Sequence, residues 1–193
     1  MPMTSSFRGL LRALAVGVMA LATLPSVGLG ENARPIQLAV FAMELDDFSA
    51  GGPLAGESPT ETARLERMTD LARERLASSG LFKIIDGRAS RHEMAKEHWL
   101  RKCNGCEADA ARDLGAEMSF IGFYRKISVM EQNLEFRIRD ARSGELLNVS
   151  QTDLRGETDE SWSRALKFLI RYALVEPELR RRSAGSRRET PPL

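Results

Sequence analysis

All of the chain's histidines and cysteines fall within fifteen residues: His92, His98, Cys103 and Cys106. Two thiols three apart around Asn-Gly suit a tight turn. In an oxidising compartment such a pair normally closes. A structural disulfide between Cys103 and Cys106, pinning the junction of two short helices, is therefore expected. Two other chemistries stay open. A redox-active pair is favoured by Cys106 opening a helix, whose amino terminus lowers a thiol pKa. It is opposed by Glu107 and by a polar segment where a strand should precede the pair. A zinc site would draw on His92, His98, Cys103 and Cys106. Their spacing is not a standard zinc pattern, and histidines six apart lie on different sides of a regular helix. Haem attachment is disfavoured, because Glu107 stands where the ligand histidine belongs.

A second group is acidic. Glu44, Asp46 and Asp47 follow the end of an apolar run, and a Gly-rich loop comes after them. The carboxyl edge of a strand in an open α/β sheet often holds ligands. These three are candidate interaction residues for a cation or a basic partner surface. They lack the alternating ligands of a calcium loop. Gly51, Gly52 and Gly56 match neither a phosphate cradle nor a dinucleotide fingerprint. Ser78-Ser79-Gly80 lacks the elbow of a serine hydrolase. With both histidines in one polar stretch, acid–base catalysis has few candidates. No catalytic residue, cofactor or resident metal is expected.

The elements that must position these groups can be read along the chain. Arg8 and Arg12, then an apolar run over 13–24, Pro25 and the small residues Gly28 and Gly30 form a secretory signal peptide over 1–30. The run is shorter than the ~20 residues that span a bilayer, so no transmembrane segment is expected after cleavage. The chain has 28 basic and 27 acidic residues. Removing 1–30 leaves 26 and 27, and setting aside the Arg-rich end 180–193 leaves 21 and 26, a net of −5. A mildly acidic exported body argues against nucleic-acid binding. The end, RRRSAGSRRETPPL, reads as disordered. Residues 31–179 then form one domain with one core.

Ile36 to Met43 reads as a buried strand and FSAGGPLAGES as a loop. Ser58-Pro59-Thr60-Glu61 carries a capping box for a helix with Leu65, Met68, Leu71, Ala72 and Leu76 on one face. Phe82 to Asp86 is a strand. Residues 88–101 look helical and polar, anchored by Met94 and Trp99, and Glu107 to Leu114 is a second short helix. Met118 to Val129, Leu134 to Arg139 and Glu145 to Leu154 form a three-stranded meander. A final helix from Thr158 or Asp159 puts Trp162, Ala165, Leu166, Leu169 and Tyr172 on one face, keeps Phe168 in the core and ends at Pro177. The order β-α-β-α(α)-β-β-β-α predicts an α/β (α+β) fold, a single mixed sheet with helices packed on it.

That order, with the segments LAVFAMELDD (38–47), RLERMTDLARERLASSGLFKIID (64–86), CNGCEADAARDLGAEMSFIGFYRKIS (103–128), RIRDARSGELL (137–147) and RGETDESWSRALKFLIR (155–171), resembles a family of exported bacterial proteins of unknown function. The family is similar in fold to the amino-terminal domain of the periplasmic adaptor TolB. The resemblance implies a periplasmic, non-catalytic accessory or protein-interaction domain with an envelope protein as partner. A periplasmic protein that handles metal or thiol redox through Cys103 and Cys106 is the alternative.

Overall fold

A computed structural model describes residues 34–188 except 129 and 155; the expected signal peptide lies outside them. The strands are β1 (Ile36–Val40), β2 (Glu44–Asp47), β3 (Phe82–Asp86), β4 (Met118–Lys126), β5 (Gln132–Asp140) and β6 (Leu146–Asp153). The helices are α1 (Gly52–Ala55), α2 (Pro59–Ser78), α3 (Glu93–Lys96), α4 (Cys106–Asp113), α5 (Asp159–Leu169) and α6 (Glu176–Arg188), with a π turn at Ile170–Val175. One mixed sheet runs β3-β1-β4-β5-β6, and β2 pairs with β4. β1 is parallel to β3 and β4, whereas β4, β5 and β6 form an antiparallel meander.

The run expected as one strand over Ile36 to Met43 is a strand only to Val40, and a second strand, β2, starts at Glu44 beyond it and continues in line along β4. Val40 lies opposite Phe120 and Glu44 opposite Phe123, so the first side carries one extra residue. A one-residue insertion exchanges the faces of every side chain that follows. Leu38 and Val40 point into the larger core, and after the bulge Met43 and Leu45 do so, which turns Glu44 and Asp46 to the opposite face. The Met43 N–H, released from the ladder, donates to Thr69 Oγ1 on α2. Gly122 leaves room for Met43, whose Cε would sit 2.9 Å from a Cβ there.

α2 and α5 cover one face of the sheet. Leu65, Met68, Ala72 and Leu76 meet Trp162, Leu166 and Leu169 over Phe120, Tyr124 and Phe136. Ser58 and Glu61 form the expected capping box. The opposite face carries a smaller, alanine-rich core of Ala39, Phe41, Leu100, Ala110, Ala111 and Ile121 under α4.

Four further expectations are corrected. Residues 88–101 are not one helix. Two 3-10 turns (Gly87–Ala89 and Leu100–Lys102) flank α3, and His98 sits at φ 55°. The chain turns there because the N–H groups of Leu100 and Arg101 donate to Glu44 instead of closing a helix. Phe168 and Tyr172 are exposed, their rings tilted against each other with centroids 5.0 Å apart; Phe168 lies off the face that Trp162, Ala165, Leu166 and Leu169 bury, and in the π turn Ile170 and Leu174 take the inward positions. Pro177 does not end the last helix. It follows the π turn in the first turn of α6, and the Ala173 carbonyl four residues before it accepts from Asn148 Nδ2 instead (2.9 Å). The arginines beyond it, expected to be disordered, are helical to Arg188, where Arg180 pairs with Glu176 and Arg181 with Glu178.

Candidate interaction face

Glu44 is the centre from which the site is built. It is 3 % exposed, and a buried carboxylate needs partners. It accepts from the N–H of Leu100 (2.7 Å) and of Arg101 (3.2 Å) and from Arg101 Nη1 (2.8 Å). Arg101 reaches on to Asp46 (3.2 Å), Asp46 to Arg125 (3.1 Å), Arg125 to Glu135 (3.4 Å) and Glu135 to Arg137 (2.9 Å). Three acids and three arginines thus form a neutral ladder across four segments. Arg125 and Arg137 also lie over the ring of Phe123, at 5.2 and 4.8 Å from its centroid. Asp47 is not part of the ladder. Its carboxylate takes the N–H and hydroxyl of Ser49 and shapes the turn before α1.

The ladder fixes the 97–102 loop against β2 and so forms a cleft. A cavity of about 660 Å³ lies between Asp46, Asp47, Phe48 and the residues of α1 on one side and Glu97, His98, Trp99 and Lys102 on the other. Trp99 is 49 % exposed and Phe48 62 %, and Leu54 on α1 is 95 % exposed. The Lys102 ammonium stands 4.7 Å from the Trp99 ring centroid. Trp99 was expected to anchor a helix inward; Leu100 takes that place in the smaller core, which turns Trp99 out.

The sulfurs of Cys103 and Cys106 lie at bonding distance, with Cα atoms 5.9 Å apart. Gly105, at φ 109°, makes the turn between them. Glu107 is buried behind the pair and accepts from Arg139 Nε (2.6 Å) and from the Gly105 N–H (3.2 Å). Arg139 also donates to Asn104 Oδ1 and to the Gly144 carbonyl, tying the cysteine loop to the β5–β6 hairpin. Among the described residues, the donors that could converge on one ion are Cys103, Cys106 and Glu107. The structure does not bring His92 and His98 to the cysteines. Among the described residues the Nδ1 of His92 is buried without a hydrogen-bond partner, and His98 lines the cleft.

The sequence reading missed Arg101, Arg125, Glu135 and Arg137. The alternation of Leu134 to Arg139 put Glu135 and Arg137 on a polar face. Nothing local placed Arg101 against Glu44.

No described helix is long and apolar enough to cross a membrane. No curated protein matches the chain. Among solved structures it is similar to the LpoB carboxy-terminal domain from Salmonella enterica, with 13 % identity, a TM-score of 0.41 and coverage of 63 % of this chain and 84 % of that one. It is similar also to a PelC dodecamer subunit from Paraburkholderia phytofirmans (15 %, 0.43, 72 % and 86 %). Lipoprotein GNA1162 from Neisseria meningitidis is a third (11 %, 0.44, 75 % and 99 %). The model of the family described as "Protein of unknown function (DUF2380)" matches residues 36–174, almost the whole described sheet with its helices, and the chain belongs to that family.

Proposed function

We infer that this is an exported, periplasmic, non-catalytic interaction domain whose partner is another envelope protein. The observation that carries the reading is the cleft. Large aromatic side chains on two separate segments, Phe48 and Trp99, stand exposed around a cavity whose walls are fixed by buried ion pairs. Exposed aromatic groups on a rigid frame are the usual anchors of protein interfaces. Glu44 and Asp46 are committed to arginines, so they serve the frame. The signal peptide read in residues 1–30 supports export.

A photo-crosslinking residue placed at Phe48 or Trp99 in the exported protein tests this. Discrete adducts from both positions, and none from Glu74 on the outer side of α2, are expected. Equal labelling at all three positions, or none, would remove the reading.

The alternative through Cys103 and Cys106 has one observation in its favour, the convergence of both sulfurs with a Glu107 oxygen within 4.8 Å. Intact mass, thiol alkylation and metal content on protein taken from the periplasm without reductant separate the two. A mass two hydrogens light with no metal fits a staple. Free thiols with stoichiometric metal would transfer the function to the cysteines.

A further inference from the structure

We propose that the cleft takes a cationic, extended peptide segment of the partner, one that presents an apolar side chain between Lys or Arg residues. The inference rests on the interaction reading and adds the chemistry of the partner. Charge decides the occupant. Within the walls, Asp46 and Arg101 neutralise each other in the ladder. Asp47, Glu57 and Glu97 have no cation paired with them among the described residues, and Lys102 is the ammonium on the same walls. Three carboxylates face one ammonium, and Glu57 and Glu97 are exposed on opposite lips. An approaching Lys or Arg side chain gains from both lips, and an acidic segment is repelled by both.

The apolar groups set the rest of the pattern. Trp99 on one segment and Phe48 on another, both exposed, line the cavity. A side chain of leucine size entering there is covered by aromatic surface on both sides, while its neighbours in an extended chain point to the acidic rims. His98, held at φ 55° by the bonds that Leu100 and Arg101 make to Glu44, presents Trp99 in this position. Persistent backbone strain of this kind marks a site whose surroundings impose it.

The chain carries its own reporter, because Trp99 is exposed and its other tryptophan, Trp162, is buried. The test titrates the mature protein with two synthetic hexapeptides, one alternating arginine and leucine and one alternating glutamate and leucine, and follows tryptophan emission. The arginine peptide is expected to bind and shift emission to the blue, with affinity falling at least about tenfold between 50 and 500 mM salt. The glutamate peptide is expected not to bind. Replacing both Glu57 and Glu97 by Gln is expected to weaken binding about tenfold with an unchanged melting temperature, since both acids are exposed. Equal binding of the two peptides, binding unaffected by the double substitution, or no binding of either would overturn the proposal. If crosslinks still form at Phe48 and Trp99 in that event, the interaction domain stands and only the basic chemistry of its partner falls.

Discussion

Glu44 shows how one residue can look like a ligand and serve as a beam. Its carboxylate receives two backbone N–H groups and a guanidinium in a place water hardly reaches. Removing it leaves those donors buried and Arg101 undercompensated. Breaking a buried pair from one side typically costs about 3 kcal/mol or more. Glu44→Ala is therefore expected to lower the melting temperature by roughly 10 °C, at a few degrees per kcal/mol for a domain of this size. Glu57→Ala, an exposed acid of the same cleft, should stay within about 0.5 kcal/mol of the parent. Calorimetry on the two variants checks the contrast, and equal melting temperatures would show that the ladder contributes nothing net. The sequence could show three acids after a strand. It could not show which face each acid takes, because that depends on a bulge created by pairing with β4, more than seventy residues away.

At the scale of elements, what was legible was local. The box that starts α2 is written in four consecutive residues. In it Glu61 accepts from the N–H (2.9 Å) and hydroxyl (2.7 Å) of Ser58, and Lys126 approaches from β4. Burial pushes the Glu61 carboxyl up, but the Ser58 bonds and the Lys126 charge outweigh it and hold the pKa below the ordinary value. Asp86, which caps the turn after β3, is held low in the same way by Arg88 and Arg73 against the upward push of burial. A carboxyl depressed in the folded state adds stability that is complete above its unfolded pKa and is lost as pH falls through its folded one. Urea midpoints should therefore be flat from pH 7 to about 5 and fall below pH 4, near and under the usual carboxylate range. Glu61→Gln should flatten that acid limb. An unchanged slope would show that the box does not couple to folding. Elements that depend on distant partners were the ones misread. The supposed helix over 88–101 gives up its N–H groups to Glu44, and α6 runs on past Pro177 because a π turn precedes it.

As a whole, the described residues form one sheet with unequal coverings. One face buries Trp162, Tyr124, Phe120, Phe136 and a column of leucines under two helices of three or more turns. The other buries mainly alanines under α4 and a chain of short turns. Burial stabilises roughly in proportion to apolar area, so the second layer gains less from packing. It carries instead the polar fastenings: the ion-pair ladder, the Glu107–Arg139 pair and the cysteine loop, all on the side that presents Trp99. A cross-link between Cys103 and Cys106 closes only a short loop, so on loop-closure grounds it contributes only about 2 kcal/mol where it forms. Loss of that bond should therefore loosen one layer without unfolding the sheet. Hydrogen exchange measured with and without reductant makes this testable. Amides of 93–114 should exchange faster than those of α2, β4 and β5 in the untreated protein. Reduction should speed the first set several-fold while leaving the second at the rate of global unfolding. Uniform acceleration across both layers would mean that the cysteine loop is integral to the single cooperative core. No change in either would mean that the ion pairs alone hold the cleft in shape.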